Sequence, residues 1–370
     1  QLLDSGVDVL LGGGLRHFLP HSASNRSSSQ FRRVAAQVGA AVEFDSKRDD
    51  EENLLEVAQS RHYRLTFDRQ GLAEASGTKV LGLFATSGLP NAIRENASRN
   101  AADRRIPTLQ EMTEAALRLL SENPNGFVLM VEAGQIDWAG HQNDAGLLLH
   151  EMQRLDSALG AIANFVRNRS DTLVVITADH ETGGFGLSYS GSQLPSPQQL
   201  SGDVFEDTLF APQYNYGTPA LLHALYAQKS SLVDIVHRFE SLPEKEQSPE
   251  RLQALIAEQT SFSLSAEEAR RVLELEPNRY YVSEHSTLGE RWVPRFGWQA
   301  AFYPNAPDEM RAALVARMLA PKQGIVWASG THTSSPVFSI AWGPQEITKR
   351  YDGMRTAAEL GTLLQQSLAL

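Results

Sequence analysis

Short, wholly apolar runs alternate with stretches of helical period along the chain. Residues 7–11 (VDVLL) run into Gly12, Gly13 and Gly14, and residues 79–85 (KVLGLFA), 126–131 (GFVLMV), 172–177 (TLVVIT) and 337–341 (VFSIA) repeat the form. Runs of this length, apolar rather than alternating, predict strands buried on both faces. Between them Thr108, with Glu111 three residues on, forms a capping box ahead of MTEAALRLL, and residues 147–166 carry apolar positions at helical spacing. This succession predicts an α/β fold with a mostly parallel central sheet and helices on both faces.

After residue 186 the character changes. SYSGSQLPSPQQLSG is rich in Ser, Pro, Gln and Gly and reads as an excursion from the sheet. Ser248 with Pro249 then starts one helix, and Ser265 with Glu268 makes a second capping box. Trp292, Trp298, Phe302 and Tyr303 form an aromatic cluster in the sequence. The expected organisation is an α/β core over residues 1–186, a largely helical insertion over 187–322, and a return to the sheet with a C-terminal helix over 323–370. The start, QLLDSGVDVLLGGG, reads as the middle of a βα unit, so earlier strands of the sheet are expected outside this chain.

Composition narrows the partners. The 370 residues, 42% of them hydrophobic, supply a sizeable core. No run approaches the ~20 apolar residues of a membrane span, and the N-terminus lacks a signal-peptide pattern. With 44 acidic against 33 basic residues, a net charge of -11, there is no footprint for a nucleic-acid backbone. Cysteine is absent, so a metal would have to be held by carboxylate and imidazole.

Those ligand types cluster at strand ends. VEAGQIDWAGH places Glu132 after one apolar run and sets Asp137 and His141 four apart, on one face of a helical turn. TADHETGG places Asp179 and His180 past the end of another run, and His332 lies in a small polar loop before a third. In open α/β sheets ligands bind at the carboxyl ends of strands, which makes Glu132, Asp137 and His141 candidates for one site, with the other two loops offering carboxylate or imidazole to the same edge of the sheet. Singly, each has a plainer reading as a solvated helix face, a cap or a surface histidine; their joint occurrence favours a metal site. His150, His223 and His237 fall in helical stretches and read as structural, His17 and His21 flank a loop proline, and three consecutive glycines are too weak a signal for a phosphate cradle.

VEAGQIDWAGH, TADHETGG and GTHTSSPV, in this order and with a long insertion before the last, resemble the alkaline phosphatases, in particular bacterial marine-type members. The resemblance covers the sheet-forming parts from about residue 7 and matches residues 187–322 poorly. It implies that Asp137, His141 and His332 bind one zinc, that Asp179 and His180 bind a second, and that Glu132 binds a magnesium. Trp138 would lie just behind the metal ligands, where it would tune phosphate affinity. The implied reaction is phosphomonoester hydrolysis through a phosphoserine intermediate, on small phosphomonoesters with release of inorganic phosphate, in a periplasmic or secreted protein. The family's nucleophilic serine, bridging aspartate and phosphate-binding arginine cannot be placed here. DSG at residues 4–6 precedes the wrong strand and DSA at 156–158 lies inside a helix. The expectation is therefore a serine outside this chain, on a missing N-terminal segment or a separate polypeptide. A related phosphodiesterase or sulfatase, or a non-catalytic metal-binding remnant, stays open, as does a homodimer formed through the insertion.

Overall fold

The computed structural model describes residues 2–39, 43–189, 194–203, 206–215, 217, 219–285, 288–296 and 307–368. Two compact units divide the chain: Gln1–Ala133 with Met152–Ser170, and Gly134–Glu151 with Asp171–Leu370.

In the first unit β1 (Val9–Gly12), β2 (Arg64–Thr66) and β3 (Val80–Leu83) form a parallel sheet in the order β1-β3-β2. The central strand β3 is the one buried at every position, as its unbroken apolar run requires. Leu81 and Leu83 pack with Leu15, Leu19, Val34 and Leu55, from the loop after β1, helix α1 (Ser29–Val38) and helix α2 (Leu54–Ser60). Helices α3 (Arg69–Ala73), α4 (Ala92–Ser98) and α5 (Leu109–Leu120) also belong to this unit, and Leu72 and Met112 pack with Phe84 in a second cluster.

The capping box expected at Thr108 is formed: the Glu111 amide donates to Thr108 Oγ1 and the Thr108 amide to Glu111 Oε2. Glu111 also accepts from Arg69 and, with both oxygens, from Arg104. Burial pushes its carboxyl up, but the bonds from Arg104, the Thr108 amide and Arg69 together outweigh that and hold it down at about 2. A carboxyl depressed on folding stabilises the fold above its ordinary 4.5 and loses that contribution as pH falls toward about 2. Glu111→Gln is expected to melt lower than wild type near neutrality and to show a flatter fall of Tm across that acid window. Parallel Tm profiles for the two proteins would remove Glu111 from the acid response.

The second unit holds α6 (Gln135–His141) and the start of α7 (Ala145–Val166), through which the division of the chain runs. Two chain segments then run antiparallel as an interrupted ladder. β4 (Val174–Ile176), β5 (Glu181–Thr182) and β6 (Gly186–Leu187) pair with β13 (Ile340–Trp342), β12 (His332–Thr333) and β11 (Ile325–Val326) respectively. Between them lie the short pair β7 (Gln198–Gln199) with β8 (Leu209–Phe210), helices α8 (Pro219–Tyr226), α9 (Leu232–Glu240), α10 (Pro249–Gln259) and α11 (Ala266–Leu273), the pair β9 (Leu275–Pro277) with β10 (Trp292–Pro294), and α12 (Pro307–Leu319). Helices α9 to α12 share a core of Ile235, Phe239, Leu252, Ile256, Val272 and Val315. Ser248 caps α10, and Ser265 with Glu268 closes the second capping box. Helices α13 (Gln345–Thr348) and α14 (Ala357–Leu368) follow β13.

The structure departs from the sequence-based expectation in the strands. Residues 126–131 form no strand, and Val128 and Met130 are 68% and 82% exposed, so Glu132 does not sit at a strand end. Apolar content makes a segment suited to burial, but a strand exists only where a neighbour completes its ladder. Strand β4 is shorter than expected and half-buried, and Phe338, Ile340 and Trp342 are exposed. Each of β4 and β13 has one hydrogen-bonded neighbour among the described residues. Of the aromatic cluster, Trp292 is exposed, while Trp298, Phe302 and Tyr303 lie outside the described residues.

Candidate metal centre

Helix α6 sets Asp137 and His141 on one face, as their four-residue spacing requires. Its end is tied to the loop that carries His332. Asn143, buried and at φ 52°, donates from Nδ2 to Gly140 O at 3.0 Å and to Ser329 O at 2.9 Å. Gly183, at φ 90°, donates its amide to Thr331 O and accepts from the amides of Ala328 and Ser329. Two glycines make the approach between these segments sterically feasible. A Cβ at Gly140 would come within 2.8 Å of Thr182 O, and one at Gly183 within 2.8 Å of the Trp327 ring and 2.9 Å of Gly140 O.

β12 pairs His332 directly with Thr182 of β5. Asp137 Oδ1 consequently lies 3.4 Å from both His141 Nε2 and His332 Nε2, and the two imidazole nitrogens are 3.1 Å apart. A tetrahedral ion with ligands at about 2.0–2.1 Å spaces its donors by roughly 3.3 Å, so this triad could hold one. Donor chemistry agrees with the spacing. His141 Nδ1 is 2.9 Å from Gly330 O, and since a carbonyl only accepts, Nδ1 carries a proton, so that the neutral imidazole presents its lone pair from Nε2.

Asp179 and His180 lie in the turn between β4 and β5. The His180 ring stacks on His332 with centroids 3.5 Å apart, and Asp179 Oδ2 lies 3.2 Å from His180 Nε2. Of the expected ligand residues, Asp137, His141 and His332 come together in the second unit and His180 stacks on the last of them, whereas the exposed Asp179 side chain contacts its neighbour His180. Glu132 is an exposed coil residue of the first unit, and Trp138, beside Asp137 on α6, is half exposed.

Residue-by-residue reading of the sequence missed the residues that hold this arrangement. Thr182 Oγ1 donates to Asp137 Oδ1 at 2.6 Å and lies 3.3 Å from His180 Nδ1. Glu181 accepts from the amides of Gly184 and Phe185 and from the Thr333 hydroxyl, closing the turn after the Asp-His pair. Both stand inside the TADHETGG stretch, but their partners are 45 and 152 positions away and leave no local pattern.

The alkaline phosphatase family profile matches residues 1–259. The chain belongs to the alkaline phosphatase family. Asp137, His141, Asp179 and His180 fall inside the matched residues, whereas His332 lies beyond them and joins through the pairing of β12 with β5. Alkaline phosphatase 3 of Bacillus subtilis (strain 168) is 38% identical over 153 residues, covering 41% of this chain and 31% of that protein. Alkaline phosphatase 4 of the same organism is 33% identical over 187 residues, 50% of this chain and 33% of that protein. The chain thus spans about a third of the length of these curated relatives. A cold-active alkaline phosphatase from a psychrophilic Shewanella sp. superposes with a TM-score of 0.62 at 22% identity, covering 99% of this chain and 67% of that one, which establishes an alkaline-phosphatase-like α/β fold. Among the described residues no helix of this family member is long and apolar enough to cross a membrane.

The plainer reading of His150 accords with its surroundings. It is buried against the Tyr226 ring, with centroids 4.2 Å apart, and its Nε2 is 2.9 Å from Tyr226 O. Burial holds its pKa below the ordinary imidazole value despite that carbonyl.

Proposed function

We propose that this chain forms the metal-binding part of a phosphomonoester hydrolase, acting on small phosphomonoesters and releasing inorganic phosphate. The observation that carries the reading is the Asp137–His141–His332 triad, whose donor atoms stand 3.1–3.4 Å apart with the His141 proton already placed on Nδ1. Asp137, His141 and His332 would hold one zinc, Asp179 and His180 a second, and Glu132 a magnesium. Bound ions of this kind supply Lewis acidity and charge neutralisation for in-line displacement at phosphorus.

The chain's own residues orient and space the ligands. Gly330 O fixes the His141 tautomer, and Thr182 orders the Asp137 carboxylate. Trp138, half exposed beside Asp137, would tune how tightly phosphate is held. Ser157 is not suited to be the phosphoryl acceptor, because its hydroxyl donates to Gln153 O within α7. We assign the acceptor to a serine outside this chain, with a phosphoserine intermediate, and the protein to the periplasm or the extracellular space. Residues 187–322 fit an insertion into the core, through which a homodimer would form.

Three protein ligands at one centre and two at the other set the expected order of affinity. Zinc titration of the metal-free chain against a chromophoric chelator should show one tight equivalent and a second, weaker one. The longest natural polypeptide carrying this sequence should hydrolyse an aryl phosphate in the presence of zinc and magnesium. Absence of a tight equivalent would overturn the metal assignment, and zinc binding without turnover in that longer polypeptide would leave a non-catalytic metal-binding protein.

A further inference from the structure

We propose that Thr182 is a positioning residue whose single hydroxyl orders Asp137 and fixes the tautomer of His180, so that the two proposed zinc centres are assembled by one side chain. This rests on the metal-binding reading above.

The hydroxyl has one proton to give. Asp137 Oδ1 is 2.6 Å away and, as a carboxylate oxygen, only accepts, so the proton goes there. Toward His180 Nδ1, at 3.3 Å, Thr182 Oγ1 can then only accept. The Thr182 contact is a hydrogen bond in the tautomer that carries the imidazole proton on Nδ1, and that tautomer leaves Nε2 with its lone pair on the side of Asp179 Oδ2, 3.2 Å away. That separation is the donor spacing of a common ion, like the 3.4 Å between Asp137 Oδ1 and His141 Nε2. Asp179 by itself would favour a proton on Nε2, the wrong nitrogen for a ligand. Thr182 is the group that opposes it.

The backbone and methyl group of the same residue have separate tasks. Thr182 pairs with His332 across the β5–β12 ladder, and a Cβ at Gly140 would lie 3.0 Å from Thr182 Cβ and Cγ2. The methyl thus packs against α6 and turns the hydroxyl toward Asp137. One threonine consequently touches α6, the Asp-His turn and the strand of His332, and it does so with three different parts.

The test compares Thr182→Ser, which keeps the hydroxyl, with Thr182→Val and Thr182→Ala, which lack it. In the full chain, zinc affinity from chelator competition should fall by ~10–100-fold in the valine and alanine variants, the range for loss of a hydrogen bond to a ligand, and should return to near wild type in the serine variant. In zinc-loaded protein with labelled histidines, a protected Nδ1–H resonance of His180 should be present in wild type and Thr182→Ser and lost in the other two. A chain in which the alanine variant binds zinc as tightly as wild type and keeps that resonance overturns the inference. Equal losses in the serine and alanine variants would also overturn it, because only the methyl would then matter. A wild-type chain that does not bind zinc overturns the metal-binding reading instead, so the two failures are distinguishable.

Discussion

Asp137→Ala is expected to abolish tight zinc binding, with an affinity loss of at least ~100-fold, since removing hydrogen-bonding partners of ligands alone costs 10–100-fold. Asp137 Oδ1 is the atom common to the triad, 3.4 Å from each imidazole nitrogen, and its removal leaves two neutral donors where about three protein ligands are needed. It also removes the acceptor of the Thr182 hydroxyl, so the His180 tautomer is released in the same step. His332→Ala should act in the same direction, whereas His150→Gln should leave zinc affinity at the wild-type value. Chelator competition on the three variants decides the matter. Undiminished affinity in Asp137→Ala would place the ligands elsewhere.

The largest expected effect on stability is at Asp144. Its carboxylate is completely buried, and it accepts from the Leu147 amide at 3.0 Å, the Leu232 amide at 2.7 Å and Gln228 Nε2 at 2.8 Å. It therefore caps the start of α7 and meets the first amide of α9 with one side chain. Burial pushes the carboxyl up from its ordinary value despite these donors. Asp144→Ala would leave several interior donors without an acceptor and remove a helix cap, a combined loss of at least ~3 kcal/mol. Asp144→Asn should be only partly protective, because one of its two amide faces would present N–H groups to N–H groups. Denaturant titration measures both. A midpoint shift worth less than about 0.5 kcal/mol for the alanine variant, the size of an ordinary surface change, would contradict the capping role.

Local signals in the chain were reliable where the determining interaction is local. Thr108 with Glu111, Ser265 with Glu268 and Ser248 ahead of Pro249 all start helices as their spacing predicts, because a cap and its helix lie within four residues. The turn that aligns Asp137 with His141 follows from helical period in the same way. Residues 79–85 contain the buried central strand, whereas residues 126–131, equally apolar, contain none. The two runs differ in whether neighbours hydrogen-bond to them, and nothing within the run encodes that.

The sequence by itself determined the helix starts, the α/β class, the carboxylate-and-imidazole character of any metal ligand in a chain without cysteine, and the candidacy of Asp137, His141 and His332, whose ligand atoms lie together in the structure. Only the tertiary structure decided that Asp137 Oδ1, His141 Nε2 and His332 Nε2 stand within 3.4 Å of one another, and that Thr182, Asn143 and Glu181 hold them there. Helical period and caps act over one turn of chain. The bonds from Thr182 to Asp137, Asn143 to Ser329 and Thr333 to Glu181 cross 45 to 186 positions, and they exist because Gly140 and Gly183 allow separate backbones to touch.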